Sequence, residues 1–93
     1  MSNVKRVLKW AVPVDDQVHH IGHGNVVRVA CQHNDPETVY VWTEEYDEAA
    51  VTRPVQVFGT GHVIPQPSRH VGSADALGLV WHVYAVPAAE VQP

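Results

Sequence analysis

The run Val55-Gln56-Val57-Phe58 stops abruptly at Gly59-Thr60-Gly61-His62, and Pro65 and Pro67 follow it. A second aromatic run, Val80-Trp81-His82-Val83-Tyr84, comes near the C-terminus. β-Branched and aromatic side chains suit a pleated surface, whereas glycine and proline end one. No stretch of the chain sustains the 3.6-residue apolar period of an amphipathic helix. A chain of this kind must bury its apolar residues between sheets.

The rest of the chain reads the same way. Residues 4–14 alternate Arg6, Leu8, Trp10 and Val12 against Lys5, Val7, Lys9 and Ala11, which is a strand ended by Pro13. Asp15-Asp16 is a turn, residues 17–21 form a short strand, and Gly22-His23-Gly24-Asn25 turns again. Residues 26–33 and 37–45 make the clearest hairpin, joined through Asn34-Asp35-Pro36. In its second arm Val39, Val41 and Thr43 oppose Tyr40, Trp42 and Glu44. One face then meets the core, and Tyr40 and Trp42 cover a second, partly exposed surface. Residues 45–51 suit a helical turn or an acidic loop. Residues 53–58, 69–72 and 79–86 read as strands, with a turn or single helical turn over 73–78. The expectation is all-β: one small domain over residues 1–93, with six or seven antiparallel strands closed into a barrel or sandwich. It includes at most one short helical turn and a frayed tail from about residue 87.

Composition narrows the function classes. Ninety-three residues allow a single core, and a partner, including a second copy in a homodimer, would help so small a domain bury surface. A lone cysteine, Cys31, precludes an internal disulfide, and the N-terminal region lacks the apolar stretch of a signal peptide. No segment approaches a membrane-spanning length of apolar residues, so an intracellular protein that does not enter membranes is expected. The formal charge of −4 disfavours nucleic acid as a partner. Seven histidines would carry that charge to +3 if each ring took one proton, so association should respond to mild acid.

Several of these elements are distinctive together. Val12-Pro13-Val14-Asp15-Asp16-Gln17, Val57-Phe58-Gly59-Thr60-Gly61-His62, Ile64-Pro65, Val71-Gly72 and Val80-Trp81-His82 resemble a family of short proteins, a domain of unknown function, encoded by phages of actinobacteria. The resemblance runs from about residue 5 to residue 87. Ser73 stands where the family pattern has threonine, and Val83-Tyr84 where leucine-phenylalanine is usual. The resemblance implies a phage accessory protein acting in the host cytoplasm, and it transfers no catalytic or binding residue.

Four constellations invite chemistry. His19-His20-x-x-His23 and Cys31-x-His33 crowd metal-ligand types, but structural zinc wants four nitrogen or sulfur ligands, and strand alternation sends His19 and His20 to opposite faces. They read as hydrogen-bonded surface histidines, and no metal is expected. Gly59-Thr60-Gly61-His62 lacks the helix and lysine of a phosphate cradle, so no cofactor is expected either. His62, His70, His82, Asp75 and Ser73 would converge if the last strand lay beside the Gly-Thr-Gly turn, the basis of a small hydrolase using His62 and His82. No nucleophile elbow accompanies them.

Aromatics give the fourth. Trp10, Phe58 and Trp81 suit the core, whereas Tyr40, Trp42 and Tyr84 suit a surface used for binding. The sequence therefore points to a non-enzymatic protein-interaction module that engages a host or phage protein through Tyr40, Trp42, Glu44 and Tyr84. Its acidic rim over residues 44–48 would attract a basic partner. A hydrolase and a minor virion component are the alternatives.

Overall fold

The computed structural model describes residues 4–46 and 51–87. Among them are seven strands and no helix: β1 (Lys5–Pro13), β2 (His19–Gly22), β3 (Asn25–Ala30), β4 (Thr38–Tyr46), β5 (Thr52–Gly59), β6 (Arg69–Ala76) and β7 (Leu79–Ala85). They form a three-stranded sheet in the order β1-β4-β3 and a four-stranded sheet in the order β2-β5-β7-β6. Every pairing is antiparallel. The all-β expectation holds, and of barrel or sandwich it is the sandwich. The anticipated helical turn near residue 47 and the frayed tail lie outside the described residues.

Alternation decides what each sheet buries. Along β4, Val39, Val41, Thr43 and Glu45 point inward, while Tyr40, Trp42 and Glu44 are half-exposed. The core joins Val12, Val39 and Val41 of one sheet to Ile21, Val55, Val57, Ala74 and Val83 of the other. Each such aliphatic side chain contributes about 1.5–3 kcal/mol relative to exposure. The buried hydroxyl of Thr43, through Oγ1, accepts a hydrogen bond from Trp10 Nε1–H at 2.8 Å. Along one flank β3 packs against β6, where the Val29 side chain lies over Gly72.

Two features of the strands were hidden in the sequence. A bulge between Val26 and Arg28 lets Val26 and Val29 both pack on the core and turns Val27 out to 48% exposure. The second concerns residues 73–78, read above as a turn or single helical turn. Strand β6 continues to Ala76, and only Leu77 (φ 53°) and Gly78 (φ 80°) turn the chain before Leu79. Two residues at positive φ joining adjacent antiparallel strands make the tight hairpin whose twist matches that of the sheet.

One end of the sandwich is tied by two charged side chains that each bond the Gly24 backbone. Glu45 is only 6% exposed, and its Oε2 accepts a hydrogen bond from the Gly24 N–H at 2.9 Å. Arg53 Nη2 donates to the Gly24 carbonyl at 2.8 Å. The β2–β3 turn is thereby clamped from both sheets.

Candidate functional site

Strand β4 is the centre of its sheet, so its outward residues are flanked on both sides. Register sets Lys9 of β1 and Arg28 of β3 beside Trp42, and Ala11 and Ala30 beside Tyr40. The small alanines leave room for the rings, and the long cations lie across them. Lys9 Nζ stands 4.3 Å from the Tyr40 ring centre and 5.7 Å from that of Trp42. The Arg28 guanidinium carbon is 5.1 Å from the Trp42 ring, and the two aromatic rings are 6.2 Å apart. Lys9 is held in place by donating to Gln32 Oε1 at 2.5 Å. Further along, Lys5 Nζ sits 5.4 Å from the Tyr46 ring and 3.9 Å from the Glu44 carboxylate. At exposed sites each cation–ring contact contributes about 0.5–1 kcal/mol.

The outcome is a face of opposite sign to the whole chain. Lys5, Lys9 and Arg28, half of the six lysines and arginines, stand on it with Glu44 among them. Strand alternation had placed Tyr40 and Trp42 outward, but the cations over them become neighbours only through the β1–β4 and β3–β4 registers.

Tyr84 does not join this face. It belongs to the four-stranded sheet, on the other side of the sandwich, where it meets Phe58 edge-on at 5.9 Å and His70 at 5.2 Å. Phe58, expected in the core, pairs in register with His82 and lies apart from the core cluster, although it is only 6% exposed. Its neighbours Val55 and Val57 take the inward positions, which leaves Phe58 the outward one. Trp10 and Trp81 are half-buried and pack against the core.

Beside Tyr84 runs a row of hydroxyls and imidazoles. Thr60 Oγ1 bonds His82 Nε2 at 2.9 Å, His82 Nδ1 bonds Ser73 Oγ at 2.8 Å, and Ser73 Oγ bonds His70 Nε2 at 2.9 Å. Hydroxyls both donate and accept, so they satisfy either tautomer of the central ring. The last strand does lie beside the Gly-Thr-Gly turn, as the convergence required. His62 stays out of the row, however, because its Nδ1 accepts from the Gly59 N–H at 3.2 Å. His62 and His82 therefore share no hydrogen bond.

The other sequence candidates are dispersed. His19 Nε2 bonds both carboxylate oxygens of Asp15, at 2.8 and 3.0 Å. Among the described residues no three histidine, cysteine, aspartate or glutamate side chains gather as metal ligands. Burial, reinforced by Asp35 and Asp75, pushes the half-buried Cys31 thiol up, away from the thiolate form a reactive cysteine needs.

The hydrogen bond from His19 holds the Asp15 carboxyl below its ordinary value. A carboxyl depressed by folding stabilises the folded state above its unfolded pKa, and that contribution fades as pH falls through the folded pKa. The melting temperature of the wild type should exceed that of Asp15→Asn at neutral pH, and the two should converge below about pH 4. Melting curves of both proteins from pH 7 down to pH 3 check this.

Fold and face together define a small two-sheet β domain with a cation–aromatic surface. The chain belongs to the family Domain of unknown function (DUF7352), which matches residues 3–93. No curated protein and no solved structure matches it.

Proposed function

We propose that this domain is a non-catalytic interaction module whose three-stranded sheet receives an acidic segment of a protein partner. One observation carries the reading: Tyr40 and Trp42 lie side by side on an outward face and are overlaid by Lys9 and Arg28. Large rigid rings supply contact area at little entropic cost, and aromatic residues and arginine are over-represented at binding hot spots. The cations give that area a positive sign, so the favoured partner is acidic. The acidic rim expected to attract a basic partner contributes only Glu44 here, already 3.9 Å from Lys5, while Asp47 and Glu48 lie outside the described residues. Three cations in a chain of net charge −4 are few for tracking a phosphate backbone, which favours a protein over a nucleic acid. The resemblance to phage-encoded proteins makes that partner a host or phage protein in the infected cytoplasm.

The test is affinity capture by wild type and by the double variant Tyr40→Ala/Trp42→Ala, read by mass spectrometry, then affinities for what is captured. The double variant should keep its circular dichroism spectrum, because both side chains lie outside the core. It should bind at least about 30-fold more weakly, the loss of a hot spot of about 2 kcal/mol. Binding by the wild type should also weaken with added salt. Capture of the same proteins with the same affinities would end this reading.

A further inference from the structure

A cleft of about 580 Å³ opens at the end of the sandwich where β2 turns into β3 and where β5 and β6 begin. Its volume falls within the range of small-molecule sites. Arg53 and Arg69 both line it, together with the imidazole-bearing residues His23 and His70. Two arginines at one cleft are a third of the six lysines and arginines in a chain of net charge −4.

The two arginines are under-used. Among the described residues the side chain of Arg69, which is exposed, makes no ion pair and no hydrogen bond. Arg53 Nε is buried with no acceptor among them, although its Nη2 is spent on the Gly24 carbonyl. Burial holds the Arg53 guanidinium below its ordinary value, Glu45 partly opposes that shift, and the like charge of Arg69 adds to it. The two guanidiniums carry like charge beside a space that no carboxylate of the described residues lines, although Glu45 acts on Arg53 more strongly than Arg69 does.

We propose that this cleft binds a small phosphomonoester, with Arg53 and Arg69 clamping the phosphate beside His23. A planar guanidinium presents paired N–H groups that match two phosphate oxygens, and a dianion would be attracted by both arginines. A carboxylate offers two oxygens to the two guanidiniums, whereas a phosphomonoester offers three on a doubly charged centre. Val26 and Val71 give the cleft an apolar wall for the organic part of the ligand. The site lies apart from the Tyr40–Trp42 face and does not depend on it.

The phosphomonoester can be a free metabolite or the 5′ end of a nucleic acid strand. Amide and arginine side-chain NMR shifts of the full chain distinguish them, with inorganic phosphate, ribose 5-phosphate and a 5′-phosphorylated trinucleotide as probes. Ribose 5-phosphate should give saturable shifts at Arg69, Val71 and Val26, and Arg69→Gln should weaken that binding at least about tenfold. Tighter binding of the trinucleotide than of ribose 5-phosphate would assign the site to strand ends, and equal or weaker binding to small metabolites. Arg69→Lys, which keeps the charge and loses the fork, should fall between wild type and Arg69→Gln, and serves if the glutamine variant does not fold. No saturable shift with any probe up to about 10 mM, a concentration at which even a millimolar site would be mostly filled, would overturn the proposal. Affinity unchanged in the Arg69 variants would do the same.

Discussion

Gly24→Ala should cost more than about 3 kcal/mol, a large share of the roughly 5–14 kcal/mol available to a domain of this size. An added Cβ at this position would lie 1.7 Å from the Glu44 backbone oxygen and 2.8 Å from Glu45 Oε2. The first of these atoms belongs to the central strand of the sheet, which is hydrogen-bonded on both sides and cannot withdraw. Moving the Gly24 turn instead would break the bond from its N–H to Glu45 and the one from Arg53 to its carbonyl. Thermal denaturation should show the midpoint falling by more than about 12 °C. Gly61→Ala is the control. No atom lies within 4 Å of its added Cβ, but its φ of 90° strains an alanine, so a loss of about 1–2 kcal/mol is expected there. Equal midpoints for Gly24→Ala and wild type would mean the turn does not sit on β4 as described.

Trp81→Ala should cost about 3–5 kcal/mol. The ring packs against the core, and its Nε1–H donates to the Pro36 carbonyl at 2.8 Å, tying β7 to the loop between β3 and β4. Truncation removes a large apolar area, opens a cavity and leaves that carbonyl without its donor. Trp81→Phe keeps most of the area and loses only the hydrogen bond, so it should cost nearer 1 kcal/mol. Urea titrations of the three proteins separate the two contributions, provided the slope with denaturant is unchanged. A Trp81→Phe loss as large as that of Trp81→Ala would shift the weight from packing to the hydrogen bond.

Much of this architecture follows from local pattern. The inward set Val39, Val41 and Thr43 and the outward set Tyr40, Trp42 and Glu44 are fixed by the two-residue period of one strand, without any knowledge of its partners. The same period fails at Val27, where one extra residue in β3 reverses the faces, and nothing in Val26-Val27-Arg28-Val29 signals a bulge. Leu77-Gly78 was equally obscure: leucine is a poor guide to a turn, yet it takes positive φ there because the strands on either side leave only two residues to connect them.

The candidate face was half legible. Tyr40, Trp42 and Glu44 share it, but Tyr84 lies on the opposite side of the sandwich, since sequence distance says nothing about which sheet a strand joins. Lys9 and Arg28 were invisible as members, because they lie 33 and 14 positions from Trp42 and meet it only through strand register. The Arg53–Arg69 cleft is a still longer-range product. It needs the ends of both sheets to come together, which no motif announces.

Amide chemical-shift mapping of the labelled domain, titrated with a captured partner or its acidic segment, tests the binding face most directly. Perturbations should concentrate on the outward positions of the three-stranded sheet, at Lys9, Arg28, Tyr40 and Trp42, and diminish as salt is added. Perturbations centred on Phe58, His82 and Tyr84, with the Tyr40–Trp42 face silent, would contradict the account.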